Sequence, residues 1–442
     1  MGGDTVVAST EEVPSAGKAL AVEAVAVVVA APEKPEFGPP KLTVLQLIPI
    51  FLSFGCRAVG GPVQQIAMIK EELVVEQKWM SPKDFNTVFA LYQALPGPEA
   101  AELAIFFGRM ATGRLGGFVA GICFCLPGFC IMLLFAYLYT RFDLFHKAGF
   151  LSSFHAVRPV VPAMAIRAVL KIADHALVDS SAPAAGYSSI LVALAALGML
   201  LTLFSTPFFA TLGAGGLVHV CHKKHHVAAF LLLLAFVASN VAYIAVKGLP
   251  PTLALAAGSQ VGNLASSLFV TGLLAGATTF GGAFTAVPYV YRSLVTLSGR
   301  MTPAQFLDGI AVVNFVPTPL VMFVTWDGFI SGGVGGAILM TLGMFLPCFT
   351  FVLLLHEIMM AAARNPLFTA LLEGVSAVVV GLIAETACQL TKVAVRNGMD
   401  ALVFACAMFV LSTSKLKNAP IGIIVAAAMA GQVLYENGAN QL

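Results

Sequence analysis

Two short runs of glycine and proline lie inside strongly apolar sequence, at Gly60-Gly61-Pro62 and at Pro96-Gly97-Pro98. Both residue types interrupt the hydrogen-bond ladder of a helix, so backbone N–H groups at the start of the following helix lack intrahelical partners. Free donors and a partial positive charge suit a helix N-terminus to an anion, and glycine lets a ligand approach the backbone. The runs therefore predict an anion site built from helix starts; the alternative is that they only permit kinks or close helix packing.

Charged side chains near these runs indicate how an anion would be held and how its movement would be coupled to protons. Arg57 carries a planar fork of donors that suits an oxyanion, although it could instead contact a lipid headgroup. Glu99 and Glu102 share one helix face, where they could carry a proton or form a plain salt bridge. The candidate residues are Arg57, Gly60, Gly61, Pro62, Gly97, Pro98, Gly281 and Gly282 for the substrate, Glu99 and Glu102 for coupling, and Lys70 for an aqueous vestibule, with a solvated face as the simpler interpretation of Lys70.

The elements that must position these residues occur twice in the chain. A constant offset of 221 residues relates Gly61 to Gly282, Pro82 to Pro303, and Pro96 to Pro317. Each copy then continues into a glycine-rich turn and an apolar helix that contains Leu-Pro. Chance does not keep one register over so many helix-breaking residues, so the sequence predicts an internal duplication.

The composition predicts a membrane protein. Hydrophobic residues make up 59% of the chain and charged residues 10%, with a mean hydropathy of +0.91, whereas soluble proteins carry about 25% charged residues. Repeated apolar runs near the bilayer-spanning length predict an all-α polytopic membrane protein that includes broken helices. Period-2 alternation is absent, which argues against a strand barrel, and no basic patch with interleaved aromatic residues indicates nucleic acid.

Patterns typical of enzymes, metal sites and redox sites are missing from the sequence. The eight cysteines form no C-x-x-C pair, and neither a P-loop lysine nor a Ser/His/Asp set is present. His219–His226 contains four histidines and a cysteine, but we interpret it as a polar loop that flanks the membrane. We therefore expect no enzyme activity, no cofactor and no metal.

The domain organisation follows from the duplication. Residues 1–40 read as a disordered polar tail, 41–250 as the first transmembrane repeat and 251–442 as the second. We expect the repeats to be inverted with respect to each other, as a hypothesis. A second copy of the chain, in a homodimer, is left open as a partner.

The residues of both copies resemble the chromate ion transporter (CHR) family in its long, two-domain form. Gly60-Gly61-Pro62, the Lys70-Glu71-Glu72 helix, Trp79 and the run that ends in Pro96-Gly97-Pro98 carry the first signature, and Phe280-Gly281-Gly282 carries the second. The resemblance covers about residues 42 to 392, with departures at Val59, Gln65 and Thr318. It implies an inverted helical fold and the transport of chromate.

The expected function is secondary active export of chromate, and of sulfate or a related tetrahedral oxyanion, coupled to a proton gradient across the plasma membrane. Sulfate has the same shape and charge as chromate. A passive anion channel of the same fold is one alternative, and it would not need the coupling carboxylates. A membrane scaffold or sensor without transport is the other; it would depend on the N-terminal tail and the His-rich run.

Overall fold

The structure, a computed structural model, describes residues 37–58, 61–141, 155–178, 186–203, 206, 208–247, 264–279, 283–362, 364–413 and 419–434. Within these ranges the chain is mainly helical and contains no strand; an isolated antiparallel bridge joins Val178 to Tyr187. The predicted tail lies almost wholly outside the described residues. The helices are α1 (Val44–Cys56), α2 (Pro62–Ile69), α3 (Pro82–Ala94), α4 (Glu99–Arg141), α5 (Val160–Ala176), α6 (Ser189–Leu203), α7 (Phe208–Lys224), α8 (His226–Lys247), α9 (Leu264–Ala277), α10 (Val287–Tyr291), α11 (Pro303–Phe315), α12 (Phe323–Leu353), α13 (His356–Ala362), α14 (Pro366–Ala394), α15 (Gly398–Thr413) and α16 (Ala419–Leu434).

The duplication is repeated in the local structure. A π-helical segment, Lys70–Glu76 in the first copy and Arg292–Leu297 in the second, precedes a capped helix in each case. The Ser81 side chain accepts a hydrogen bond from the N–H of Asp84 at the start of α3, and Thr302 caps α11 in the same way. Proline follows each cap at the first helical position, where its missing N–H costs nothing. The predicted all-α fold with two repeats and broken helices is confirmed.

Each Pro-x-Pro run forms the tip of a helical hairpin. In the first copy α3 packs back against the start of α4, with the rings of Tyr92 and Phe106 5.9 Å apart. In the second copy Trp326 Nε1 donates to the carbonyl oxygen of Gln305 at 3.0 Å, which ties the chain after the tip to α11. We call residues 82–111 the first hairpin and residues 303–331 the second hairpin. The apolar faces of their two limbs hold the tips inside the protein.

The long helices α4 and α12 each contain a sharp reversal. Gly113 has φ +77° and Gly333 has φ +62°, a region that favours glycine. A methyl group added at Gly108 would lie 2.6 Å from the carbonyl oxygen of Gly116, so the chains on either side of this reversal pack closely. Each long helix therefore consists of a short arm, which belongs to the hairpin, and a long arm: residues 114–141 in α4 and 334–353 in α12.

The two long arms pack against each other in opposite directions. A methyl group at Gly117 would lie 2.7 Å from Leu353 Cδ2, and one at Gly121 would lie 2.6 Å from Phe349 Cζ. Since contacts move forward along one arm as they move backward along the other, the arms are antiparallel. The arms are equivalent elements of the two copies, and an antiparallel pair of equivalent spanning helices is the arrangement of an inverted repeat.

In the part of the chain that the structure describes, three helices are long and apolar enough to cross a membrane: Glu99–Arg141, Leu320–Leu353 and Pro366–Ala394. Because of the reversals, each of the first two is divided into a short arm and a long arm. Shorter apolar helices, such as Val44–Cys56 and Gly398–Thr413, accompany them. This is the pattern of a multi-pass integral membrane protein with interrupted helices.

The helices that follow the long arm of one copy pack against helices of the other copy. Helix α5 of the first copy packs against α15 of the second, while α14 of the second copy packs against α6 and α7 of the first. Arg158, just before α5, binds Asp308 on α11 through two charge-assisted hydrogen bonds of 2.7 and 2.9 Å. The Tyr139 hydroxyl donates to the same carboxylate at 3.2 Å. Both copies therefore contribute to one interlocked helical core.

Two details of the sequence interpretation were wrong. The apolar run at 187–213 predicts one spanning helix, but it forms two helices, α6 and α7; Pro207 between them in the sequence was the overlooked signal. The predicted polar loop at 219–226 is helical up to Lys224, with only His225 between α7 and α8. His219 is fully buried there, with its Nε2 3.1 Å from the carboxylate of Glu373, because α7 packs on α14.

Candidate functional site

The tips of the two hairpins meet at a small pocket lined by residues of both copies, which we call the cavity. Helical segments from both copies begin at its wall: α2 at Pro62, α4 at Glu99, the stretch that starts at Ala283, and the 3-10 turn at Leu320 that leads into α12. Each start leaves backbone N–H groups without intrahelical partners. Two starts from each copy thus direct partial positive charge toward one small volume, which suits an anion.

Hydrogen bonds between the copies fix the position of both tips. The Gly97 N–H donates to the carbonyl oxygen of Thr279, which follows α9 of the second copy, at 2.7 Å. Gln65 of α2 is buried, and its side-chain amide donates to the carbonyl oxygens of Ala58 at 3.1 Å and Thr318 at 3.4 Å. Each tip is therefore held by a broken-helix segment of the other copy.

The surroundings of Gly97 show why this tip needs a glycine. A methyl group there would clash with the Glu102 carboxylate and would lie 3.1 Å from Cys348 Cβ on the long arm of α12. The tip is thus wedged between its own short arm and the opposite copy. Backbone that lies this deep in a membrane protein is tolerated because protein groups satisfy it.

Two carboxyl groups give the cavity its second chemical property. Glu99 lines the cavity and is 7% exposed, and Glu102, one turn further along α4, is fully buried. Among the described residues, neither oxygen of the Glu102 carboxylate has a hydrogen-bond partner. A buried carboxylate without a partner is costly when it is ionised, so these groups are suited to hold a proton.

The structure brings together some of the predicted substrate residues. Pro62 and Pro98 line the cavity together with Glu99, a predicted coupling residue; Gly97 lies at the tip beside it, and Gly61 has φ +83° immediately before α2. Gly60, Gly281 and Gly282 lie outside the described residues.

Arg57 and Lys70 lie elsewhere. Arg57 does not line the cavity; its guanidinium binds Glu72 at 2.9 Å, and its side chain is 48% exposed. The Nζ atom of Lys70 lies 5.3 Å from the centre of the Phe85 ring, and the side chain is half-buried against the first hairpin. Lys70 thus belongs to the charged segment after α2, and Arg57, which follows α1, is bound to that segment through Glu72.

Two residues that line the cavity, Gln65 and Ala283, were not among the predicted site residues. Gln65 stands in the sequence as a departure from the family pattern, and this was the available signal for its role in holding Thr318. Ala283 carries no chemical signal of its own, since only its position at a helix start matters. Within the described ranges, no group of three or more His, Cys, Asp or Glu side chains is placed to hold a metal ion.

Comparison with known proteins agrees with this architecture. The family model "Chromate transporter" matches residues 45–220 and 266–432, one match for each repeat. The chain is 39% identical to the chromate transport protein of Pseudomonas aeruginosa over 90% of this chain and 94% of that protein. It is 29% identical to the chromate transport protein of Cupriavidus metallidurans, again over 90% of this chain and 94% of the relative. A probable chromate transport protein of Synechococcus elongatus is 29% identical over 90% of this chain and 97% of its own length.

No solved structure matches the chain. The family matches cover both repeats and most of the sequence, and they join the inverted pair of broken-helix units to a family of membrane transporters. On these grounds the protein belongs to the chromate transporter family, as an integral membrane protein of the long, two-repeat form.

Proposed function

We propose that the protein exports chromate, and sulfate or a related tetrahedral oxyanion, across the plasma membrane by secondary active transport coupled to a proton gradient. The observation that carries this proposal is the convergence of four helical starts, two from each inverted copy, on one cavity. Backbone donors at helix starts suit a tetrahedral dianion because they approach it from several directions and need no counter-charge of their own. The names of the relatives supply chromate as the cargo.

Glu99 supports proton coupling. Its carboxyl group lines the same cavity as the helical starts. An ionised carboxylate there would repel an oxyanion, whereas the protonated form would not. Occupancy of the cavity by the oxyanion is therefore linked to the protonation of Glu99, so that the proton and the oxyanion cross together and export is driven by a proton gradient directed outward.

The test is flux into liposomes that contain the purified protein, measured for chromate and for sulfate with and without an imposed pH gradient. We expect saturable oxyanion flux that responds to the gradient. Glu99→Gln removes the titrating group and keeps its size, so this variant should carry the oxyanion down a concentration gradient but no longer respond to pH. Glu76→Gln, at an exposed position of the segment after α2, is the matched control and should behave as the wild type.

The remaining outcomes separate the alternatives. Saturable flux that ignores the pH gradient in the wild type would replace coupled transport by a channel or uniporter. An absence of flux for both anions in correctly folded protein would remove the substrate assignment and favour a scaffold or sensor. Deletion of residues 1–38 then distinguishes further, since a transporter should keep most of its flux without the tail.

A further inference from the structure

Asp327 is a buried carboxyl group that the proposed cavity chemistry does not use. It lies on the short arm of α12, in the second hairpin, and its exposed fraction is 0%. Among the described residues, neither of its oxygens has a hydrogen-bond partner. An ionised carboxylate in this position would be both desolvated and unpaired, so this arrangement favours Asp327 holding a proton.

The internal repeat shows what occupies the same place in the first copy. Gly108 and Gly328 have matching positions, because each packs against the carbonyl oxygen of a glycine just beyond the reversal. Asp327, one residue earlier, is thus equivalent to Phe107. Phe107 contacts Trp79 edge to face, with ring centroids 6.1 Å apart.

The equivalent of Trp79 in the second copy is a charged residue. The constant offset that relates Pro82 to Pro303 relates Trp79 to Arg300. An aromatic pair in one copy is therefore replaced in the other by arginine and aspartate, which carry opposite charges at the positions equivalent to Trp79 and Phe107. The two positions touch in the first copy, and this equivalence makes Arg300 the candidate partner of the one carboxyl group on this arm.

Arg300 does not bind Asp327 in this structure. Its guanidinium donates to the Ser267 hydroxyl of α9 at 3.0 Å. The other charged group nearby on α11, Asp308, is bound to Arg158 and Tyr139. Residues 334–353 of the long arm contain no acidic or basic side chain, and α9 presents only hydroxyl groups such as Ser267 and Thr271.

We propose that Asp327 and Arg300 form an ion pair that is controlled by a proton. With Asp327 protonated, Arg300 stays on Ser267, as observed; when the proton leaves to water, Arg300 moves to the Asp327 carboxylate. The pair then ties the short arm of α12 to the segment before α11 and changes how the second hairpin is held. This inference deepens the proposed function and rests on its proton coupling.

A polar residue lies between Asp327 and the exposed reversal of α12. Ser331 follows it by one helical turn, and its buried hydroxyl has no partner among the described residues. The reversal at Gly332 and Gly333 comes immediately after, and the residues at 333–335 are exposed. This gives the proton a short route between Asp327 and water.

The first test needs no oxyanion. Infrared difference spectra of the purified full-length protein, recorded between pH 5 and pH 9, should show a protonated carboxyl band that disappears in Asp327→Asn. In Arg300→Gln the ionised form loses its partner, so the band should persist to higher pH by at least about one unit, a tenfold change in proton affinity. A spectrum that Asp327→Asn leaves unchanged, or a titration that Arg300→Gln does not move, would overturn the proposal.

The second test measures coupling in liposomes. Asp327→Asn should keep the exchange of oxyanion between the two sides, but the increase in flux caused by a pH gradient should fall by at least about tenfold. Glu76→Gln should keep both the exchange and this increase. If the wild type carries no oxyanion, the proposed function fails and the infrared result still decides the ion pair. If gradient-driven flux survives in both Asp327→Asn and Arg300→Gln, the ion pair fails and the proposed function stands.

Discussion

Thr318, at the tip of the second hairpin, lies directly against Gly128 in the long arm of α4, so closely that a methyl group at Gly128 would clash with the threonine hydroxyl. At the equivalent place in the other copy, Gly97 of the first tip lies against Cys348. Each contact therefore joins one copy to the other, and each pairs a glycine with a larger residue. The threonine that interrupts the second Pro-Gly-Pro pattern is accommodated by the glycine opposite it.

The first prediction concerns this contact. Gly128→Ala should destabilise the protein by about 1–3 kcal/mol, because a well-packed contact has no room for an added methyl group. Thr318→Gly in the same chain should restore part of the loss, since it removes the atoms that clash. Thermal unfolding of the single and double variants in detergent measures both effects.

A glycine elsewhere serves as the control for Gly128. Gly213 in α7 has no other atom within 4 Å of an added methyl group. Gly213→Ala should leave stability unchanged or raise it by up to about 1 kcal/mol, because alanine favours the helix. Equal losses in Gly128→Ala and Gly213→Ala would show that the tip contact is not tight.

Arg57 gives a second prediction, which separates the sequence interpretation from the structure. Its side chain pairs with Glu72 at an exposed position and does not line the cavity. Arg57→Ala should therefore cost about 0.2–1 kcal/mol of stability and leave oxyanion flux close to the wild-type value. Loss of saturable flux in a folded Arg57→Ala protein would return this arginine to the substrate site.

The ion pair between Arg158 and Asp308 carries a third prediction. Both side chains are largely buried, with 15% and 2% exposed. Asp308→Ala should cost about 3–5 kcal/mol, because it leaves a buried guanidinium without its partner. Replacing both residues together, as Arg158→Met with Asp308→Leu, should be clearly more stable than Asp308→Ala alone in denaturant unfolding. If the double variant is the less stable one, the pair has a role beyond neutralising charge.

A fourth prediction concerns pH. His356 begins α13, beyond the long arm of α12, and its Nδ1 lies 3.0 Å from the Tyr92 hydroxyl. Burial lowers the pKa of His356, and the positive Arg109 guanidinium, which is paired with Glu357, lowers it further. The folded protein thus favours neutral histidine, whereas the unfolded chain binds a proton near pH 6.5. The contribution to stability is complete above about pH 6.5 and declines as the pH falls below it.

Thermal unfolding between pH 5 and pH 8 tests this sign. The wild-type midpoint should fall more steeply below about pH 6.5 than that of His356→Gln, which does not titrate in this range. Parallel curves for the two proteins would contradict the assigned direction of the pKa shift.

Much of the fold could be predicted from helix-breaking residues. The offset between Pro82 and Pro303 predicted the repeat, because proline and the capping residue before it fix a helix start by local geometry alone. What the sequence could not show is that the chain turns back after each Pro-x-Pro run. A broken helix can continue or reverse, and contacts such as that between Tyr92 and Phe106, which are distant in sequence, decide between the two.

The candidate site was predictable only in part for a related reason. Pro98 and Glu99 could be assigned to the candidate cavity because they lie at a helix start, whose position is fixed by the local sequence. Arg57 was placed near the substrate by its distance from Gly60, yet the direction of a long side chain depends on its neighbours, and Glu72 binds it. Asp327 escaped notice because its significance appears only when the two copies are superimposed on their glycine reversals.

The contacts of Gly128 with Thr318 and of Gly97 with Cys348 also constrain how the chain can change over generations. After duplication, each half packed against the other. A larger residue at one tip is therefore tolerated only where the opposite arm has a smaller residue. Substitutions in the two halves should therefore be inherited as compensating pairs. The two halves must keep fitting each other. Replacing one half by that of a distant relative should therefore require replacing the other half as well.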